Sequence, residues 1–203
     1  MLLQFQLSDS SRPSPAIRAM FEARKRVFID LLKWDVPVLA GMYEVDQYDT
    51  IDATYLVLTD GEYRHLASAR LLRTDRPHIL GELFPTLCEE AAPAGPTVRE
   101  ITRFCLEPTL TAAERRQVRN QLVTALVEHA LQARITEVGE NEAGGQFGDD
   151  LFRGIFFRAE APGQIAVEAV PGSRPSDHIR ESPSRNTRQR HRTGKGAAGA
   201  PRP

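Results

Sequence analysis

Cysteine is almost missing from this chain: two in 203 residues, Cys88 and Cys105. They form neither a CxxC nor a Cys/His spacing, so no zinc or other metal site is expected, and two thiols make no disulfide framework. Long apolar runs are missing as well. No stretch approaches the roughly 18 residues that a membrane-spanning helix needs. The opening MLLQFQLSDSSRP lacks the basic start and apolar core of a secretory signal. Together these absences predict a soluble, cytoplasmic protein with no membrane partner. Net charge is also nearly absent, at −1, but it is unevenly placed: residues 173–203 carry +6 and residues 1–172 carry −7. An acidic body does not suit nucleic acid, and the basic tail has no interleaved aromatics, so no nucleic-acid partner is expected.

What is present fits one domain of ordinary size, with 41% hydrophobic and 26% charged residues. LLQFQL (2–7) reads as a first strand. Ser14 followed by Pro15 reads as a helix start. Ile17, Phe21, Arg24, Phe28 and Leu31 then recur at helical spacing along one face. A turn-rich stretch runs from Lys33 to Asp52. Two β-rich runs, 53–60 and 63–74, meet at Asp60-Gly61, a hairpin signal. The proline-bearing stretch 75–97 reads as loop with a short helical piece around 83–90. TVREITRFCLE (97–107) reads as a strand. Thr111 and Glu114 have the spacing of a capping box, opening a helix to about Ala133 with Val118, Leu122, Leu126 and Ala130 as its buried stripe. ITEV (135–138) starts a strand, GENEAGGQFGDD breaks it, and LFRGIFF (151–157) resumes an apolar run. The domain is expected to span 1–170. Residues 171–203, rich in Pro, Gly, Ser and Arg, cannot bury enough apolar surface to order and read as a disordered tail.

Several charges sit where apolar residues are expected. Arg24 lies on the apolar helix face, Arg70 lies in a strand of small and apolar residues, and REITRF holds Glu100 and Arg103. Asp46 and Asp49 are spaced by three in VDQYD. Each has an ordinary explanation: an arginine that snorkels to water, aspartates that bond their own turn, a cross-strand ion pair. Taken together they describe a buried network, because ionised groups are rarely buried unpaired. Such a network can line a cleft for a zwitterionic, cationic ligand. Strand alternation puts Glu100, Thr102 and Phe104 on one face and Arg103 on the other. Glu100 and Arg103 can share a site only if a bulge or strong twist intervenes.

These residues, in this order, resemble the acyl-homoserine-lactone synthases, the LuxI-type autoinducer synthases of quorum sensing. The stretches ARKRVFIDLLKWDV, YEVDQYD, ATYLVLTD, SARLLRTDRPHILGELFP and VREITRFCLEP carry the resemblance, which covers nearly all of residues 20–108 and fades after about 138. The family pattern stands here as Arg24, Phe28, Trp34, Asp46, Asp49, Arg70, Phe84, Glu100 and Arg103. The resemblance implies an α/β (α+β), GNAT-like acyltransferase fold: a twisted mixed sheet flanked by helices. It implies S-adenosylmethionine as acyl acceptor, and hence as substrate rather than cofactor. It also implies an acyl carrier protein thioester as donor, with lactonisation and release of methylthioadenosine.

On that reading, Glu100 takes the proton of the attacking amine, directly or through water. Arg24 and Arg103 hold the substrate carboxylate or order Asp46, Asp49 and Glu100. Asp46 and Asp49 attract the cationic substrate, braced by Arg70. Phe28 and Trp34 cover the adenosine or the sulfonium. Thr102 and Phe104 serve the thioester end. Arg115, Arg116 and Arg119 can dock an acidic carrier protein or form a solvated helix face. Two other readings compete. One is a GNAT-type N-acetyltransferase using acetyl-CoA, against which no RxxGxG turn follows residue 108. The other is a degenerate, non-catalytic binding protein.

Overall fold

The computed structural model describes residues 1–7, 14–85, 88, 91–140, 155–161 and 164–169. Its strands are β1 (Leu2–Gln6), β2 (Val38–Leu39), β3 (Tyr43–Glu44), β4 (Thr54–Thr59), β5 (His65–Arg73), β6 (Val98–Leu106), β7 (Glu137–Glu140), β8 (Ile155–Ala161) and β9 (Gln164–Ala169). The helices are α1 (Pro15–Arg24), α2 (Ile79–Glu82) and α3 (Ala112–Gln132), and a π-helix, Lys25–Leu31, continues α1. Seven strands pair in the order β1-β4-β5-β6-β7-β8-β9, while β2 and β3 form a separate small hairpin. β6 and β7 run parallel; the other neighbours in the large sheet are antiparallel. This is the mixed sheet with flanking helices that the resemblance implied.

Alternation along the strands splits the core into two faces. Leu56, Leu58, Ala67, Ala69, Leu71 and Ile101 pack under α3, against Val118, Leu122, Ala125, Leu126 and Ala130. Tyr55, Val57 and Leu72 face the other way, against Ile17, Met20 and Phe21 of α1 and against Ile79. Burial of these side chains from water is the main force holding each helix to the sheet. The expected α3 stripe and its capping box are both present: the Thr111 hydroxyl accepts the Glu114 N–H and the Glu114 carboxylate accepts the Thr111 N–H. Ser14 caps α1 as expected, accepting the Ile17 N–H, with Pro15 in the first turn.

Several details differ from the sequence reading. Ile17, Phe21, Arg24 and Phe28 are buried, but Leu31 is 47% exposed. The cause is the π-helix, whose wider i→i+5 bonding, as in Leu32 N–H to Val27 O, turns residue 31 outward. Leu32 packs inward beside Phe28 instead. The β4–β5 hairpin forms, but its loop runs from Asp60 to Arg64, with Asp60 Oδ1 accepting the N–H groups of Glu62 and Arg64. The left-handed residue in that loop is Tyr63, at φ 61°, not Gly61. A helical turn at Ile79–Glu82 precedes the piece expected at 83–90, of which 86, 87, 89 and 90 lie outside the described residues. Strand β9 was not anticipated, although QIAVEA alternates. The break expected at GENEAGGQFGDD (139–150) starts later, since β7 runs on through Gly139 and Glu140; residues 141–150 and the expected tail at 171–203 lie outside the described residues.

Candidate active site

Arg24 ends α1 with its side chain 1% exposed, so it does not snorkel. Its Nε donates to Glu44 Oε2, while Nη1 and Nη2 donate to the two oxygens of Asp49, at 2.8 and 2.9 Å. Arg70 enters from β5, also buried. Its Nε donates to Thr102 Oγ1 at 2.9 Å, and its Nη atoms donate to both oxygens of Asp46 and to Asp49 Oδ1. Arg103 completes the set, with Nε and Nη2 on Glu44 Oε1 and Nη2 on Asp46 Oδ2. Three arginines thus share three carboxylates. The fork of each guanidinium is used against at least two of them, which a lysine cannot do.

Local backbone chemistry holds the acids in place. Asp46 Oδ1 accepts the Tyr48 N–H, and Asp49 Oδ2 accepts the Asp46 N–H. The turn-former explanation therefore holds for these aspartates alongside their ion pairs. Tyr55 Oη adds a bond to Asp49 Oδ1 at 2.8 Å. Burial by itself would raise the Asp49 pKa, but Arg24 and Arg70 outweigh it and hold the carboxyl well below its usual range. Burial likewise opposes the charge on Arg24, and Asp49 and Glu44 more than restore it.

The condition on β6 is met by a bulge. Arg70 pairs with Thr102 and Ser68 with Cys105, so Ala69 stands opposite both Arg103 and Phe104. Arg103 takes φ 53°, a left-handed conformation uncommon for a residue with a side chain. The extra residue resets the alternation. Glu100 and Thr102 face α1, Arg103 also faces that side, and Phe104 is turned to the α3 core. Phe104 therefore does not share the face of Glu100, and its expected role at the thioester end is withdrawn.

Beside the network lies a cleft of about 380 Å³, walled by Trp34, Asp35, Asp46, Tyr48, Ile79, Leu83, Phe84, Thr102 and Arg103 among others. Phe28 stacks behind Trp34, with ring centroids 4.7 Å apart and planes 23° from parallel. Arg103 Cζ lies 5.4 Å from the Phe28 centroid and 5.6 Å from that of Trp34. Of the expected site residues, the cleft brings together Trp34, Asp46, Phe84, Thr102 and Arg103. Arg24, Asp49 and Arg70 lie behind it: Arg70 braces the aspartates and Arg24 orders Asp49, each an expected role, while direct contact of Arg24 or Asp49 with the substrate is corrected to support. Glu100 does not line the cleft either. The residue is 2% exposed and its carboxylate accepts the N–H groups of Ile79 and Leu80. Burial raises its pKa, opposed by His78 and those two N–H groups.

Two residues escaped the sequence reading. Glu44 is fully buried and is the carboxylate that Arg24 and Arg103 share, the place expected for Glu100. Its alternation with Asp46 in YEVDQYD was the available signal. Asp35 lines the cleft, and no hydrogen bond or ion pair joins it to a described residue. Among the described residues no group of three or more His, Cys, Asp or Glu is placed to hold a metal ion. No helix among them is long and apolar enough to cross a membrane.

Comparison with known proteins points the same way. An acyl-homoserine-lactone synthase of Ralstonia nicotianae is 36% identical over 94 residues, covering 45% of this chain and 46% of its own length. One of Aliivibrio fischeri is 29% identical over 128 residues, covering 62% and 66%. The chain thus spans about half to two thirds of these relatives. The crystal structure of TofI in a ternary complex with an inhibitor and MTA aligns with TM-score 0.54 at 30% identity, over 68% of this chain and 70% of that one. The CoA-dependent acyl-homoserine lactone synthase BjaI, with SAM and isopentyl-CoA, aligns with TM-score 0.60 at 25% identity, over 69% and 65%. The model of the autoinducer synthase family matches residues 8–140 and so contains the whole network and cleft from Arg24 to Arg103; the chain belongs to that family.

Proposed function

We propose that the chain joins an acyl group to the amine of S-adenosylmethionine and closes the product to an acyl-homoserine lactone. The observation that carries this reading is the division of labour at the cleft. The inner part of the ion network, Arg24, Glu44, Asp49 and Arg70, lies behind the wall, while its members Asp46 and Arg103 line the cleft with Trp34, Asp35 and Thr102. The network is neutral as a set, so it supplies shape rather than net charge. Trp34 offers a flat π face to the adenosine or the sulfonium. Asp35 is the cleft carboxylate left for the cationic end. Arg103, 11% exposed, has Nη1 outside its bonds to Glu44 and Asp46, and that edge suits the methionyl carboxylate.

In the first step the amine nitrogen attacks the thioester carbonyl carbon, and the sulfur leaves as a thiol carrying the proton that the nitrogen loses. An α-amino group titrates at about 7.7–8.0, so only about a tenth to a sixth of it is free amine at pH 7 and about half near pH 8. The cleft has mainly to hold it against the carbonyl. In the second step a carboxylate oxygen attacks the carbon bonded to sulfur. The carbon–sulfonium bond breaks, the five-membered lactone closes, and methylthioadenosine leaves uncharged. No cofactor is required by this chemistry.

The donor proposed is an acyl carrier protein thioester. Its support is the cationic start of α3, where Arg116 is exposed beside Arg115 and Arg119. The relative BjaI is CoA-dependent, so the assay should offer both donors. Purified chain is incubated with S-adenosylmethionine and a set of acyl carrier thioesters or acyl-CoAs, and the mixture is read by mass spectrometry. Acyl-homoserine lactone with equimolar methylthioadenosine is expected, faster from the carrier thioester. No lactone from either donor would overturn the proposal; lactone from acyl-CoA alone would overturn the carrier protein.

A further inference from the structure

One wall of the cleft rests on very little. Ile79, Leu83 and Phe84 belong to α2 and the residues just after it, and α2 is a single turn. A lone turn does not hold its own shape, because fixing it costs more entropy than its one or two internal bonds return. Its fastening comes from outside, at three points.

The first is Glu100. From β6 its Oε2 accepts the Ile79 N–H at 2.9 Å and its Oε1 accepts the Leu80 N–H at 3.0 Å. One carboxylate thereby serves two N–H groups that a helix start leaves without partners. The second is Tyr48, whose hydroxyl donates to Glu82 Oε2 at 3.0 Å at the far end of the turn. The third is steric. His78, 7% exposed, folds over Gly81 with its Nδ1–H donating to Arg76 O. A Cβ on Gly81 would lie 2.7 Å from His78 Cε1 and 2.9 Å from Nε2, so any larger residue there must displace the His78 ring from its bond to Arg76 O.

We infer that Glu100 is a positioning residue: its carboxylate clips the α2 turn in place and so sets the Ile79, Leu83 and Phe84 wall of the cleft. Gly81 and His78 hold the other side of the same turn. The identity of the ligand in the cleft rests on the function proposed above; the clip itself does not. A residue that only took a proton would leave ligand affinity alone, whereas a clip governs affinity before any chemistry.

The test uses Glu100→Gln and Gly81→Ala in the full chain, with no acyl donor present. Glutamine offers one accepting oxygen, so one of the two N–H groups loses its partner. Amide exchange at Ile79 and Leu80 in Glu100→Gln should speed up about tenfold, in line with the loss of a charge-assisted bond. Calorimetric Kd values for methylthioadenosine and for S-adenosylmethionine should rise about tenfold in both variants. Unchanged exchange overturns the inference, and so does an unchanged Kd in Glu100→Gln. If Glu100→Gln does not fold, Gly81→Ala decides, and an unaltered Kd there overturns it. If the unaltered protein binds neither ligand, the proposed function falls, while the exchange rates still judge the clip.

Discussion

Arg24 uses all three of its guanidinium nitrogens on Glu44 and Asp49, so removing it strands two buried carboxylates. Arg24→Ala is expected to lose stability first, by about 3–5 kcal/mol, the usual cost of breaking a buried pair from one side. Chemical denaturation measures this, and a loss under 1 kcal/mol would show the pairing to be dispensable. Asp35 is the opposite case, an exposed carboxylate that pairs with none of the described residues. Asp35→Asn should raise KM for S-adenosylmethionine severalfold and leave kcat and the affinity for uncharged methylthioadenosine unchanged. The effect should shrink in high salt, as an exposed charge contact does. Arg24, Arg70, Glu100 and Arg103 could be named from sequence as charges among apolar residues and Asp46 and Asp49 from their spacing, while Phe28, Trp34 and Phe84 came only from the resemblance. The division of these residues into support and surface could not be named from sequence. Arg24 and Arg103 look alike in sequence; burial separates them, and burial depends on which elements meet. Glu44 was passed over because a glutamate in a turn-rich stretch looks like any solvated acid.

At the scale of elements, patterns of local origin were legible and those of tertiary origin were not. The Ser14 and Thr111 caps, the α3 stripe and the β4–β5 hairpin follow from side chains within a few residues of each other. Thr111→Ala should accordingly cost about 1 kcal/mol in thermal or denaturant unfolding and leave ligand affinity untouched, since the cap lies outside the cleft. By contrast, α2 sits at Ile79 because Glu100, 21 residues away, receives its first N–H groups. No window around residue 79 contains that information. The β6 bulge stands between the two kinds. Alternation in REITRF showed that a bulge or strong twist was needed for Glu100 and Arg103 to serve one site, and the bulge at Arg103, φ 53°, supplies it. Alternation could not say that the same bulge would carry Phe104 to the opposite face.

For the molecule as a whole, the titration of buried groups sets the pH range of stability. Burial pushes His65 down to about 4, against an ordinary value near 6.5. Its Nε2 meets Ser68 Oγ at 2.9 Å, and its Nδ1 has no partner among the described residues. Between pH 6.5 and 4 the unfolded chain takes up a proton that the folded chain refuses. Stability is therefore complete above about pH 6.5 and falls as the pH drops toward 4, by about 3 kcal/mol at most. Asp49, held low by Arg24 and Arg70, adds a further loss below about pH 4, where its unfolded counterpart is protonated. Unfolding midpoints measured from pH 8 to pH 4 should show this slope, and His65→Gln should flatten its upper part. An unaltered slope in that variant would assign it to another group.

The stacked pair Phe28 and Trp34 has one more consequence. Trp34 is the only tryptophan in the 203 residues, and it stands in the wall of the cleft, within 5.6 Å of the Arg103 guanidinium. All indole fluorescence from this protein thus originates at one place, next to whatever occupies the cleft. A purine laid on that ring quenches it; an empty cleft leaves it bright. The chain carries its own optical gauge of occupancy, readable in a cuvette without label, coupled enzyme or acyl donor.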